Sequence, residues 1–181
     1  MIIKTLDKYN KETAERIRAL LIQLSRSGKD RGEIPEEWFN NLINSDYHDM
    51  LLAIDDTKIE TNTETNDSQA SSIIDIDINI CKGLTPSEDD QVSPIVGIAT
   101  LSIIMGPIVR KVAYLEDFVT DESYRGKGVG SALWNAILEW SKQKGCTELN
   151  FTSGQGREAA QKFYQNRGAT IYDTNFFRLP L

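Results

Sequence analysis

Apolar residues recur at helical spacing twice near the start of the chain and then give way to runs of sheet character. Ile2 to Leu6 is a short β-like run. Asn10 can cap a helix whose apolar positions Ala14, Ile17, Leu21 and Leu24 fall on one face, and Gly28 and Gly32 end it. Pro35 suits the first turn of a second helix, with Glu36 and Glu37 at its positive end and Trp38, Phe39, Leu42 and Ile43 as its buried stripe. Met50 to Ile54 reads as a strand.

The pattern then breaks. Thr57 to Ser72 is nearly devoid of apolar residues and cannot bury enough surface to offset its ordering entropy, so it is expected to be mobile. Ile74, Ile76, Ile78 and Ile80 alternate with Asp75, Asp77 and Asn79, which predicts an edge strand with one wet face on an insertion spanning 57–93. This stretch reads either as a solvated loop particular to this chain or as an acidic lip that attracts cationic substrates. Ile95 to Met105 and Val112 to Thr120 are long β-rich runs separated by Gly106 and Pro107, an antiparallel pair. A helix follows from about Val129 to Lys144, with Val129, Leu133, Ala136, Ile137 and Trp140 on one face and Gly145 as its stop. Thr147 to Thr152 is a further strand, Arg157 to Asn166 a helix ended by Gly168, and Thr170 to Leu181 a final hairpin turning near Asp173 to Asn175.

With 181 residues and 40% hydrophobic content, the chain is long enough to fold as one domain without disulfides or a structural metal. Cys81 and Cys146 are too few for a zinc cluster or a secreted disulfide framework. The first ten residues lack the apolar region of a signal peptide. The longest apolar stretch, Pro94 to Val109, is broken by Gly97, Thr100, Ser102, Gly106 and Pro107 and reads as sheet rather than a membrane span. A cytoplasmic location is the expectation. The net charge of −7 is concentrated between Lys58 and Ser93, where eight acidic residues face two basic ones. The rest of the chain is close to neutral, so charge argues only mildly against nucleic acid and says little about a substrate.

The most informative segment is Tyr124 to Gly130, YRGKGVG, between a strand and a helix. Gly126, Gly128 and Gly130 let the backbone come close to a ligand and turn several N–H groups toward one point at the positive end of the helix, a cradle suited to phosphate. Arg125 and Lys127 add charge beside it. A dinucleotide fingerprint is excluded because the third glycine arrives one residue early, and a P-loop because Lys127 is followed by Gly128 rather than Ser or Thr. On the glycines alone, a flexible surface turn with helix-capping glycines is an equal reading.

Arg125, Gly128 and Gly130 match the R-x-x-G-x-G signature, and the chain from Ile95 onward resembles the GNAT superfamily of acetyl-CoA-dependent N-acetyltransferases. YLEDFVTDESYRGKGVGSAL and FYQNRGAT are similar to diamine (spermidine/spermine) acetyltransferases. The resemblance implies an α/β (α+β) fold over residues 1–181, with a mixed, mostly antiparallel sheet containing a splayed strand pair and helices on both faces. It also implies acetyl-CoA as co-substrate, no metal, a small-molecule amine partner with neither nucleic acid nor membrane, and a homodimer, which is frequent among relatives. Phe118, Val119 and Thr120 would supply main-chain contacts to the pantetheine arm. The N–H groups from Arg125 through Gly126, Lys127, Gly128, Val129 and Gly130 would bind the diphosphate, with Ser131 next in the helix.

The implied reaction is direct attack of a neutral amine on the thioester. An alkylammonium of pKa near 10.4 leaves only about one molecule in two thousand nucleophilic at pH 7, so a base is needed. Glu116 and Asp117 stand on the strand before the turn, and strict alternation would point only one of them at the substrate. The resemblance selects Glu116 as base, with Asp117 as ammonium anchor. A backbone N–H near Phe118 or Val119 would hold the developing oxyanion. Tyr164, in the FY pair of the last helix, matches the general acid that protonates the departing thiolate. Relatives often carry Asn ahead of that pair; here Arg157 stands in GREAAQKFY, where it can reach a coenzyme phosphate or an anionic substrate. TSGQGR is similar to aminoalkylphosphonate acetyltransferases, so that acceptor, a protein lysine or N-terminus, and a non-catalytic acyl-CoA sensor stay open beside the diamine. His48, the lone histidine, has no Ser or Cys partner in a recognisable motif, and Cys146 reads as a small buried apolar residue.

Overall fold

A computed structural model describes residues 1–25, 28–58, 95–108 and 110–181. The Ile74 to Ile80 strand, Cys81 and all but the first two residues of the expected mobile stretch lie outside the described residues. These divide into two compact units, Met1–Asn150 and Phe151–Leu181.

The first unit begins with β1 (Ile2–Thr5), α1 (Lys11–Leu24), α2 (Glu36–Ile43) and β2 (His48–Ile54). Asn10 caps α1 as its sequence predicts, its side-chain oxygen accepting from the Thr13 amide at 3.1 Å. The two long runs form β3 (Ile95–Gly106) and β4 (Arg110–Thr120), an antiparallel pair, and α3 (Val129–Gln143) comes after the glycine turn. With β5 (Leu149–Phe151) the sheet order is β1-β2-β3-β4-β5, antiparallel from β1 through β4. The Thr147 amide donates to the Lys111 carbonyl and the Ala113 amide to that of Glu148, so the chain entering β5 runs in the direction of β4 and the sheet is mixed.

Alternation along the strands gives the sheet two apolar faces. Met50, Leu52, Ile54, Ile98 and Val119 join Ile17 and Leu20 of α1 and Phe39 and Leu42 of α2 in one core. The other face carries α3 through Val129, Leu133 and Ile137, all at most 1% exposed. Gly97 makes that contact close, because a Cβ there would lie 3.0 Å from Leu133 Cδ1, Val129 Cγ1 and the Val119 carbonyl oxygen. The predicted stripes are corrected in two places. Leu20, rather than Leu21 or Leu24, is the fully buried leucine of α1, and Trp38 is 40% exposed, packing its edge on Phe39. Both corrections arise because the sheet fixes which arc of each short helix faces inward.

In the second unit, α4 (Glu158–Gln165) ends before Gly168. The final hairpin expected over 170–181 is not formed: residues 169–181 adopt no strand, and Ile171, Tyr172, Phe176 and Phe177 are each more than three-quarters exposed. A two-stranded hairpin needs an apolar face to bury, and this segment finds none within its unit. Among the described residues no helix is long and apolar enough to cross a membrane.

Candidate active site

Where β4 ends, the chain turns a corner and opens into the glycine segment. The Asp121 amide donates to the Val96 carbonyl at 2.9 Å, and its carboxylate accepts from the Ser123 amide and hydroxyl at 2.9 and 2.5 Å. A single 3-10 turn, Glu122–Tyr124, comes next. The Tyr124 hydroxyl donates to Asp55 Oδ2 at 2.7 Å, and that bond, helped by Thr57, lowers the Asp55 carboxyl to about 2. Gly126 and Gly128 then take φ of 77° and 88°, the left-handed region in which a side chain is strained. A Cβ at either glycine would meet nothing within 4 Å, so open space lies beside the turn.

Gly128 is the N-cap of α3 and supplies no side-chain cap, so the first-turn amides of Val129 and Gly130 have no helical carbonyl to donate to. They present the positive end of a helix of 15 residues, which suits an anion. Val129 contributes its amide alone, since its side chain is 1% exposed in the core. Arg125 and Lys127 are exposed, and the Lys127 ammonium lies 4.7 Å from the centre of the Tyr124 ring. These features fit a diphosphate, with Ser131 continuing the same helical turn.

Upstream, β4 carries a bulge that its sequence did not disclose. Thr100 pairs with Asp117 and Leu101 with Leu115, leaving Glu116 as the extra residue. Alternation therefore fails where it was to separate the two carboxylates. Asp117 lies across from Thr100, and Glu116 accepts from the Ser102 hydroxyl at 2.9 Å. Thr100 and Ser102 are two apart on β3 and share a face, so both acids are drawn to the face that bears α1 and α2. Their surroundings differ: Glu116 is exposed, whereas burial pushes the Asp117 carboxyl above its usual range. The Thr100 hydroxyl facing the carboxylate opposes that rise, the Glu116 charge adds to it and the Arg31 guanidinium opposes it. The Thr100 hydroxyl is buried, and Asp117 across the strand pair is the group that it faces, without a hydrogen bond of normal geometry.

Past the bulge, Phe118 points to the α3 face, its ring 6.3 Å from that of Trp134, and Val119 is buried on the opposite one. With both side chains engaged in packing, Phe118 and Val119 have their main chain to offer a ligand, and Thr120 follows them as the last residue of β4.

In the C-terminal unit, Tyr164 of α4 stacks against Phe151 at 4.6 Å and Phe163 at 5.6 Å. Burial raises its phenol, and the charge of Arg157, at the N-cap of the same helix, counters that rise. Elsewhere, the Ser45 hydroxyl and His48 Nδ1 are 2.8 Å apart on the surface, and burial raises the Cys146 thiol. Among the described residues no group of three His, Cys, Asp or Glu side chains is placed to hold a metal ion. Sequence reasoning missed Thr100 and Ser102, which stood out there only as breaks in an apolar run, together with Arg16 and Gln23 of α1.

The architecture is a five-stranded sheet with helices on both faces and a glycine turn that opens α3 after β4. Residues 47–169 match the model of the acetyltransferase (GNAT) family, and the chain belongs to that family. It is 41% identical over 64 residues, 35% of this chain and 42% of the relative, to a glucosamine 6-phosphate N-acetyltransferase of Trypanosoma brucei brucei. The chain spans less than half the length of the curated relatives it matches. Among solved structures, an aminoglycoside acetyltransferase from an uncultured soil metagenomic sample, in complex with trehalose, aligns with 99% of this chain and 95% of its own at a TM-score of 0.69 and 16% identity. An aminoglycoside N-acetyltransferase in complex with CoA aligns with 99% of this chain and 93% of its own at a TM-score of 0.63 and 20% identity. At such identities the structures speak for a shared fold.

Proposed function

We propose that this protein transfers an acetyl group from acetyl-CoA to a primary amine, by direct attack within a complex holding both substrates, and that the acceptor is a small diamine or polyamine. The observation that carries this reading is the adjacency, along one strand and the turn after it, of an uncapped helix start opened by glycines and two carboxylates on one face. The amides of Gly126, Gly128, Val129 and Gly130 hold the coenzyme diphosphate. Those of Arg125 and Lys127 are engaged by the Glu122 and Tyr124 carbonyls, leaving their side chains to add charge. The main chain of Phe118, Val119 and Thr120 aligns the pantetheine arm. Arg157 serves a coenzyme phosphate. Bound acetyl-CoA supplies the activated acetyl group; the protein supplies orientation, proton transfer and charge.

Glu116, exposed and anchored by Ser102, takes the proton from the incoming ammonium, directly or through water. Asp117 anchors the positive charge of the acceptor. An amide near Phe118 or Val119 stabilises the developing oxyanion, and Tyr164 gives its proton to the departing thiolate. A two-carboxylate face favours acceptors with more than one ammonium, a property shared by the aminoglycosides for which one relative is named. The exposed apolar side chains of Ile171, Tyr172, Phe176 and Phe177 support assembly as a homodimer.

The test is thiol release from acetyl-CoA with spermidine, putrescine, an aminoglycoside, glucosamine 6-phosphate, an aminoalkylphosphonate and a lysine peptide. Fastest turnover with the polyamines is expected. Coenzyme binding with no amine-stimulated release would reassign the protein as a sensor, and preference for a phosphorylated amine would move the acceptor class.

A further inference from the structure

The Asp121 carboxylate, 7% exposed at the corner between β4 and the glycine turn, gathers four donors. Ser123 provides two of them. The others come from α1: Arg16 Nη2 at 2.6 Å and Gln23 Nε2 at 3.4 Å. The same two side chains reach further. Arg16 Nε donates to the Ile95 carbonyl at 2.7 Å, and Gln23 Oε1 accepts from the Glu122 amide at 3.0 Å. Seven positions apart, Arg16 and Gln23 lie on one face of α1 about two turns from each other. That face therefore grips the start of β3, the end of β4 and the first residue of the 3-10 turn.

The grip matters because the glycine turn just beyond it is tied back to the corner: the Arg125 amide donates to the Glu122 carbonyl at 3.3 Å and the Lys127 amide to the Tyr124 carbonyl at 3.2 Å. Gly126 and Gly128 bring no side chains to the turn, and the space where a Cβ would stand is open at both. Because both of those hydrogen bonds reach back to the 3-10 turn, the arrangement of the glycine amides depends on how the ends of the segment are held. On one side α3 is packed on the sheet through Val129 and Leu133. On the other, the bond from Tyr124 to Asp55 and the α1 grip on Asp121 and Glu122 fix the corner.

We propose that Arg16 and Gln23 are positioning residues for the coenzyme diphosphate, holding the Asp121 to Tyr124 corner so that the amides of Gly126, Gly128, Val129 and Gly130 are aimed before the ligand arrives. The proposal rests on the reading of that turn as the acetyl-CoA cradle. Its mark is selectivity for the phosphate end of the donor. Acetyl-pantetheine carries the same thioester without the diphosphate, so a misaimed cradle leaves its use unaltered.

The experiment compares kcat/KM for acetyl-CoA and acetyl-pantetheine, at saturating amine, in the full chain and in Arg16→Met, Arg16→Lys and Gln23→Leu, each checked for cooperative melting. In Arg16→Met the acetyl-CoA value is expected to fall roughly tenfold or more, while the acetyl-pantetheine value stays within about twofold. Arg16→Lys recovers part of the loss, since an ammonium cannot span both acceptors as the guanidinium fork does. Should Arg16→Met fail to fold, Gln23→Leu is read by the same ratio, with a smaller loss expected. An unchanged acetyl-CoA value, or equal losses with both donors, overturns the proposal. If the unaltered protein turns over neither donor, calorimetry with coenzyme A replaces kinetics: weaker binding in Arg16→Met supports positioning and equal binding rejects it. An unaltered protein that binds no coenzyme A removes the cradle reading itself, a failure visible without any variant.

Discussion

Glu116 and Asp117 share a face of the sheet because one of them is the extra residue of a bulge, and their environments differ. Glu116 is exposed with one hydroxyl on its carboxylate, so Glu116→Gln is expected to lower turnover at neutral pH by roughly 10²–10⁴ and to move activity to higher pH, with coenzyme affinity unaltered. An unchanged pH-rate profile would reject the role of base. Asp117 makes a different prediction. Its carboxyl is raised by burial, so its favourable contribution is complete below the unfolded value of about 3.9 and is lost as pH rises through the folded value. At neutral pH the ionised group is a cost. Asp117→Asn should raise Tm at pH 7, with the gain fading on acidification, and a gain independent of pH in thermal melts would contradict this. The residue types of both acids were readable in sequence because chemistry resides in the side chain. Their common face was not, because a bulge depends on the register of β4 against β3, and the hydroxyls that complete the site come from that neighbouring strand.

Among elements, α3 is the one that joins core to cradle. Its inner face packs on the sheet at Gly97, and its first turn presents the amides beyond Gly128. Gly97→Val would drive a branched side chain into Leu133, Val129 and the Val119 carbonyl, an overpacking expected to cost about 1–3 kcal/mol. Coenzyme affinity should weaken with it as the helix start shifts. Denaturant midpoints and coenzyme titrations that both match the unaltered protein would contradict that coupling. The existence of α1, α2, α3 and the β3–β4 pair was legible from periodicity, since each must bury one stripe. Trp38 and the closing hairpin were not, because whether an apolar residue is covered depends on a surface elsewhere. The same limit hid Arg16, whose carboxylate partner stands 105 residues further along the chain.

At the scale of the molecule, the strands on either side of the acidic segment pair with each other. Ile54, at the end of β2, pairs with Ile95, at the start of β3, so the two ends of the connection are already neighbours. Replacing residues 59–94 with a short glycine-serine link is therefore expected to leave a cooperative melt, and loss of cooperativity would show that the segment carries part of the core. The whole account depends on the ligand that the turn after β4 binds. A crystal structure of the full chain with coenzyme A tests this most directly. The account predicts diphosphate oxygens within hydrogen-bond distance of the amides between Gly126 and Gly130, and the thiol beside Phe118 and Val119. Diphosphate bound elsewhere, with those amides facing solvent, would contradict it.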